Sequence, residues 1–207
     1  MAGSLPIVTT IRGDILSSSR VVTHFPQNML YWNHFRYRDM WVLQLNDPPF
    51  NTLRLRHWEE LHTLLQIFER EANQSSIPLG LVLAGSKKMF SVGNEDRSGG
   101  VNDNLSVSFR VVRESTTTLL RNLANKLPVV AALSGYTEGD AWDLTTQCSY
   151  RVMGDNARLA LSSNTPYITA EEAQKRSLVE ELVGPDYVLA RAQEWVTEQL
   201  EQNLGDV

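Results

Sequence analysis

Residues 128–136 read PVVAALSGY, and this stretch is the clearest indication of the fold class. Its apolar start, residues 128–133, does not alternate with polar residues, which is typical of a strand covered on both faces. Residues 79–84, LGLVLA, follow the same pattern. Gly135 ends the later run, and residues 138–147 are predicted to form a short helix. Buried strands that alternate with helical segments predict an α/β fold with a partly parallel sheet.

Helical and extended segments also alternate upstream of this stretch. Residues 33–38 and 40–45 are predicted to pair as a hairpin around Asp39. Apolar residues at three- and four-residue spacing predict two amphipathic helices. The residues that set this spacing are Trp58, Leu61, Leu65, Phe68 and Ala72 in the first helix, and Leu105, Phe109, Val112, Thr116, Leu119 and Leu123 in the second. Residues 85–100 are predicted to be a loop.

The downstream part continues the alternation. Residues 150–153 are predicted to be a strand, followed by a turn at residues 155–156. Thr169 with Glu172 matches a capping box and predicts the start of a helix.

The last helix is predicted from Pro185, which favours a first helical turn. It is expected to run to about Leu200. The residues expected to face inward are Val188, Ala192 and Trp195.

The composition fits one soluble globular domain with a core, since 42% of the 207 residues are hydrophobic and 21% are charged. The net charge of -5 argues against a nucleic-acid partner. No apolar stretch is long enough for a membrane span. Cys148 is the sole cysteine and is expected to lie in the core, with a nucleophilic role as the alternative. His57 and His62 are five residues apart, not four, so no metal site is predicted.

Residues 1–30 are predicted to be an N-terminal arm, and residues 31–207 the folded domain. The first 24 residues contain Arg12 and Arg20, four serines and a single acid, Asp14. This composition is similar to that of a mitochondrial transit peptide and predicts a mitochondrial location. The alternative is a polar extension on a cytoplasmic protein.

Five local patterns, in order along the chain, resemble those of the crotonase (enoyl-CoA hydratase/isomerase) family. They are residues 45–53 (LNDPPFNTL), 81–85 with 90–95 (LVLAG and FSVGNE), 128–136, 150–153 with 156–159 (YRVM and NARL), and 168–173 with 177–179 (ITAEEA and SLV). The resemblance spans about residues 33–200. It implies the ClpP/crotonase fold, a spiral of β-β-α units.

Members of this family bind acyl-CoA thioesters, and two backbone N–H groups hold the thioester oxygen as it gains negative charge. By the resemblance, one donor is Asn94, which follows Gly93. The other is Asp140, where the family has the middle glycine of a three-glycine run. An Asp resists backbone angles that glycine allows and places negative charge beside the oxyanion. The oxyanion-hole positions Asn94 and Asp140 are therefore predicted to be vestigial, with Asp140 capping a helix.

Hydration in this family uses two carboxylates that grip one water. By the resemblance they fall on Asp143, an acid one methylene shorter, and on Ser163, which has no useful pKa for this role. Both are predicted to be vestigial. Residues 164–167 alone separate Ser163 from Ile168, where the family has a helical segment that walls the acyl pocket. The chain also stops soon after Leu200, so the fold is expected to be truncated at its C-terminal helices.

These observations predict a pseudoenzyme without a cofactor: a structural subunit of a larger mitochondrial assembly, such as a respiratory complex or ribosome. Its expected partners are other protein subunits, among them crotonase-like homologues in a trimer, and CoA binding is not expected. Two alternatives stay open. One is an active enoyl-CoA hydratase/isomerase that uses Asp143 or Asp140 as a lone acid or base. The other is a module that binds CoA thioesters without turnover, through Asn94 and residues 85–95.

Overall fold

The structure is a computed structural model that describes residues 29–94, 103–162 and 164–205. The strands of this part of the chain are β1 (Trp32–Tyr37), β2 (Met40–Leu45), β3 (Gly80–Ala84), β4 (Met89–Ser91), β5 (Val129–Leu133), β6 (Tyr136–Glu138), β7 (Tyr150–Gly154), β8 (Arg158–Ala160), β9 (Ile168–Thr169) and β10 (Glu181–Val183). The helices are α1 (Leu55–Gln74), α2 (Asp103–Ala124), α3 (Asp140–Thr145), α4 (Ala170–Lys175) and α5 (Val188–Gly205).

The strands form a larger and a smaller sheet. The larger sheet has six strands in the order β1-β2-β3-β5-β7-β10, with β1 antiparallel to β2 and the other pairs parallel. The smaller sheet has four strands in the order β4-β6-β8-β9, of which only β9 runs antiparallel to its neighbour. The parallel pairs are connected through helices, so the predicted α/β class with a partly parallel sheet is confirmed.

The larger sheet is covered on both faces, which explains its unbroken apolar runs. All five residues of β3 and of β5 are buried. One face belongs to a core that also contains Trp58 and Phe68 of α1. The other face packs against α5 through Val188, Ala192 and Val196. Removing a Val, Leu or Phe side chain from water contributes about 1.5–3 kcal/mol, so burial on both faces of the larger sheet stabilises the fold.

The two predicted amphipathic helices are confirmed as α1 and α2, which pack on each other. Trp58, Leu61, Leu65 and Phe68 are fully buried, as the spacing predicts. The hairpin around Asp39 is confirmed, with Tyr37 opposite Met40. The predicted cap of α4 is confirmed, because Thr169 Oγ1 accepts a hydrogen bond from the Glu172 backbone at 3.2 Å.

Several short elements differ from the prediction. The loop predicted over residues 85–100 contains β4, and the helix predicted from residue 138 begins at Asp140, because residues 136–138 form β6. The short strands β8, β9 and β10 were not predicted. Each of these strands has only two or three residues, too few to show a two-residue period. Their pairing partners, not their own composition, specify them.

The last helix begins later than Pro185 predicts. Pro185 lies in a turn in which Tyr187 N donates to Gly184 O at 2.9 Å, and α5 starts at Val188. Val188 and Ala192 are buried as predicted, while Trp195 is half-buried and stacks on Tyr150 at 4.7 Å between ring centroids.

Residues 1–28 of the predicted arm lie outside the described residues, so its boundary stays a prediction. Across the described ranges, no helix combines the length and apolar character that crossing a membrane requires.

Candidate functional site

The two backbone positions singled out by the resemblance lie next to each other. Gly93 follows β4 and has a φ of 73°, in the left-handed region that favours glycine. A Cβ added to Gly93 would lie 2.6 Å from Glu138 O and 3.2 Å from Asp140 N. The turn that carries Asn94 therefore runs directly against the start of α3. Glycine is required at position 93 because no side chain fits this approach.

The Gly93 turn is fixed by neutral hydrogen bonds from the segment before α1. Leu53 N donates to Gly93 O at 2.9 Å, and Gly93 N donates to Ser91 Oγ at 3.0 Å. The buried Asn51 has a φ of 50° and donates from Nδ2 to Met89 O and Phe90 O, each at 3.1 Å. This side of the site keeps its shape through backbone geometry.

The opposite side is the start of α3. Gly139 has a φ of 55° and is the N-cap, and its carbonyl accepts from Asp143 N at 3.0 Å. Asp140 is the first helical residue, so its N–H has no acceptor four residues earlier within the helix. The predicted capping role of Asp140 is wrong, because Gly139 takes the cap position.

The Asp140 carboxylate instead binds Arg113 of α2. Arg113 Nη1 forms an ion pair with Asp140 Oδ1, and Arg113 Nη2 lies 3.8 Å from Asp143 Oδ2. The side chains of Asp140, Arg113 and Asp143 are 15%, 34% and 52% exposed. Burial raises the pKa of the Asp140 carboxyl, and the nearby Arg113 guanidinium lowers it in part. One cation therefore pairs with Asp140 and lies near Asp143, the two acids at positions that the resemblance singles out.

Ser163 lies outside the described residues, but its neighbours form a tight turn. Thr165 N donates to Ser162 O at 3.1 Å, and Ser162 N donates to Thr165 Oγ1 at 3.0 Å. This turn joins β8 to β9, which pair antiparallel through Leu159 and Ile168. A hairpin turn thus occupies the place where the resemblance implies a helical pocket wall.

Sequence reasoning missed two residue pairs near the site. The first is Arg113 with Asp140, whose partners are far apart in sequence and lie on different helices. The second is the buried Glu138, which accepts a hydrogen bond from Tyr167 Oη. Glu138 is the last residue of β6 and directly precedes Gly139. An acidic residue at the buried end of a strand was the feature of the sequence that could have identified it. The Arg113 pair left no signal, because Arg113 occupies an ordinary polar position of an amphipathic helix.

The other candidates stand apart from this site. Cys148 is 5% exposed, and burial raises the pKa of its thiol to about 12, so the predicted core role is confirmed. Among the described residues, no group of three or more His, Cys, Asp or Glu is arranged to hold a metal ion. Two surface grooves of about 380 and 400 Å³ border α5 and α1, and none of Gly93, Asn94 or residues 139–143 lines them.

The arrangement has a limited chemical capacity. Asp140 N lies beside the Gly93 turn that carries Asn94, so the two segments adjoin at the positions where the resemblance implies the two donors. The carboxylates beside them are engaged by Arg113, and the Asp143 side chain is half exposed to water.

Comparisons with known proteins agree with the resemblance. The family model described as enoyl-CoA hydratase/isomerase matches residues 36–165. The chain is 26% identical to the Arabidopsis thaliana peroxisomal fatty acid beta-oxidation multifunctional protein AIM1, over 74% of this chain and 25% of that protein. It is 27% identical to a Bacillus subtilis (strain 168) protein named "Probable enoyl-CoA hydratase", over 58% of this chain and 45% of that protein. The chain therefore spans less than half the length of either curated relative.

Solved structures show the same fold. The crystal structure of an enoyl-CoA hydratase from Bacillus anthracis matches with a TM-score of 0.71 and 21% sequence identity, over 83% of this chain and 77% of that chain. This likeness bears on the fold alone. The family model covers more than half of the 207 residues, and the chain therefore belongs to the enoyl-CoA hydratase/isomerase family.

Proposed function

We propose that this chain is a non-catalytic member of its family that serves as a structural subunit of a larger assembly. The observation that carries the proposal is the binding of Arg113 to Asp140 and Asp143. In the family, the first of these positions is a glycine beside the thioester oxygen and the second is an acid that works on water. Here an ion-paired carboxylate replaces the glycine, and the acid is drawn toward the same cation.

Electrostatics argue against turnover at such a site. Catalysis of this kind requires donors aimed where negative charge develops, in a site closed to water. The Asp140 side chain adds a carboxylate to the residue whose backbone N–H the resemblance assigns as a donor. The Asp143 side chain is 52% exposed, so bulk water reaches it. A hydrogen bond joins Thr165 N to Ser162 O where the resemblance implies a helical segment that would shield Asp143.

A second candidate function is binding or turnover of acyl-CoA thioesters. The close approach of Gly93 to Asp140 N favours it, because the two segments to which the resemblance assigns the oxyanion donors adjoin. The relatives named as hydratases favour it too. In this case the lone acid would be Asp143 or Asp140, and Asn94 with residues 85–95, of which residue 95 lies outside the described residues, would contribute to CoA binding.

Assays with crotonyl-CoA separate the candidates. We expect the purified full chain to hydrate crotonyl-CoA no faster than buffer does, and Asp143→Ala to change nothing. The matched control is Asp155→Ala, since Asp155 is an exposed acid in the turn after β7. Turnover that Asp143→Ala abolishes and Asp155→Ala retains would establish the enzyme. Saturable CoA binding by calorimetry without turnover would establish the binding module.

A complementation experiment tests the structural role directly. The chain is removed from its own cells, and native gels of mitochondrial extracts follow the sizes of large complexes. We expect a complex to be lost and then restored equally by the wild type and by the Asp140→Asn/Asp143→Ala variant. Restoration by the wild type alone would mean that the site chemistry matters. A complex unaffected by removal would contradict the subunit role.

The mitochondrial location and the trimer with crotonase-like homologues are parts of the same proposal. The composition of residues 1–24 supports the location. The trimer is proposed because crotonases commonly form trimers. Imaging of the full chain with a C-terminal fluorescent tag tests the first, since a cytoplasmic signal would contradict it. Native mass spectrometry of the complex tests the second by counting crotonase-like chains.

A further inference from the structure

A buried histidine connects three parts of the chain at the start of α1. The side chain of His57 is 1% exposed. Its Nδ1 lies 3.2 Å from the backbone nitrogen of Arg54, and its Nε2 lies 2.9 Å from Asp47 Oδ2. Its ring also lies against the ring of Tyr31, with 4.2 Å between centroids. Both ring nitrogens therefore have fixed partners, and the ring itself is shielded from solvent, while the Asp47 side chain is 28% exposed.

These partners determine where the imidazole carries its hydrogen. A backbone N–H can only donate, so Nδ1 must be unprotonated to accept from Arg54. The single hydrogen of the neutral ring is then on Nε2, which donates it to the Asp47 carboxylate. A second proton on Nδ1 would point at the Arg54 N–H, and the hydrogen bond that caps the first turn of α1 would be lost. His57 fills this role only when it is neutral.

The same turn of α1 holds the chain that enters β1. The Glu60 carboxylate accepts from three consecutive backbone N–H groups, those of Leu30 at 2.8 Å, Tyr31 at 2.9 Å and Trp32 at 3.3 Å. Trp32 Nε1 also donates to the carbonyl of His57 at 3.0 Å. Residues 30–32 are thus fastened to the helix turn that His57 caps.

On its other side the histidine is connected to the candidate site. Asp47 begins the segment that leads to α1, and Asn51 N donates to Asp47 O at 2.8 Å. Two residues later, Leu53 N donates to Gly93 O at 2.9 Å. A change at His57 therefore reaches both the entry to β1 and the Gly93 turn.

We propose that His57 is an acid-sensitive latch: its protonation frees residues 30–32 and 47–54 from the start of α1 while the core of the larger sheet stays folded. The latch is independent of whether the chain is catalytic.

The groups that face His57 come from each element around it. Asp47 and Glu60 favour the protonated ring, whereas Arg54 opposes it, and the Tyr31 ring covers one face. Burial is the strongest influence and lowers the pKa of His57 despite the Asp47 carboxylate. The opened segment has the ordinary histidine pKa of about 6.5, so it takes up the proton first as the pH falls. The latch is therefore closed at neutral pH and is released as the pH falls below about 6.5.

Hydrogen exchange of the full chain, read by mass spectrometry, tests the latch. Exchange times at about pH 7.5 and pH 5.5 are scaled for the intrinsic pH dependence of amide exchange. We expect protection of residues 30–32 and 54–58 to fall by up to about tenfold at the lower pH, because pH 5.5 lies about one unit below the ordinary histidine pKa of the opened segment. Protection of β5 should stay unchanged.

Matched variants assign the effect to His57. His57→Gln cannot titrate, so its exchange should be the same at both pH values. Two control variants are His62→Gln and His34→Gln. His62 lies five residues further along α1, and His34 lies in β1, where burial also lowers the pKa of its ring. Both should behave like the wild type. Asp47→Asn removes the carboxylate that favours the proton, so the release should move to lower pH.

The outcomes separate clearly. Equal pH dependence in His57→Gln and in the wild type would overturn the latch, as would loss of protection in β5 together with residues 30–32. Transfer of the effect to His34→Gln would assign the titration to that residue. Should His57→Gln fail to fold, an unchanged release in Asp47→Asn would be enough to reject the proposal.

Discussion

The two sides of the candidate site are held by different forces. The Gly93 side rests on neutral backbone hydrogen bonds and on the buried Asn51, in conformations that few side chains permit. The Asp140 side rests on an ion pair between α3 and Arg113 of α2. The difference shows that the first side depends on backbone geometry, whereas the second side depends on charged side chains from two different helices.

The largest effect is expected on the Gly93 side. Gly93→Ala should lower the free energy of unfolding by at least about 2 kcal/mol, because a φ of 73° strains any other residue and the new Cβ would meet Glu138 O at 2.6 Å. Urea denaturation measures this loss. Gly184→Ala is the control, since the nearest atom to its Cβ lies at 3.4 Å, and it should stay within about 1 kcal/mol of the wild type. Equal losses of stability in both variants would contradict a specific requirement for glycine at position 93.

An intermediate effect is expected from the ion pair. Arg113→Ala should cost about 1–2 kcal/mol, because it leaves the Asp140 carboxylate, whose side chain is 15% exposed, without its cation. Arg176→Ala removes an exposed pair with Glu172 on α4 and should cost less than about 0.5 kcal/mol. Thermal denaturation at low and high salt measures both. If the two variants lose the same stability, the Arg113 contact is only a surface pair.

The pH dependence of stability tests the role of Asp140 on the same side of the site. The pKa of Asp140 is raised in the folded chain, so the folded state binds more protons than the unfolded state above the ordinary Asp pKa of about 3.9. Its contribution to stability therefore falls as the pH rises through that window. The free energy of unfolding of Asp140→Asn, relative to that of the wild type, should therefore increase as the pH rises from about 3 to about 7. Denaturation at both pH values tests this, and a change of opposite sign would mean that Arg113 outweighs burial.

The smallest effect is expected at Asp143. Its side chain is 52% exposed and its oxygen lies 3.8 Å from Arg113 Nη2. Asp143→Ala should therefore change the free energy of unfolding by less than about 0.5 kcal/mol. Calorimetry measures this change, and a loss near that of Arg113→Ala would show that the cation depends on both acids equally.

The sequence predicted the elements that have their own periodicity. The apolar runs of β3 and β5 and the stripes of α1 and α2 carry enough residues to be recognised locally. The two- and three-residue strands could not be predicted, since pairing with distant strands specifies them. The start of α5 was misplaced because Pro185 fits a turn as well as a first helical position.

The site was predictable only where a backbone pattern carried it. The meeting of Gly93 with Asp140 followed from the family resemblance, and the structure brings these residues together. The Arg113 contact depends on how α2 lies against α3, which no local pattern records. The vestigial status of Asn94, Asp140, Asp143 and Ser163 stays a prediction.

The buried cysteine makes the molecule its own reporter. Cys148 is the sole cysteine of the chain, it is 5% exposed, and its thiol pKa of about 12 leaves little thiolate at neutral pH. Since the thiolate is the form that reacts with alkylating reagents, labelling must wait until the chain around Cys148 opens. The rate of alkylation by iodoacetamide therefore measures how often the chain around Cys148 opens. The same measurement applies to the wild-type protein and to each variant, and no further cysteine has to be introduced.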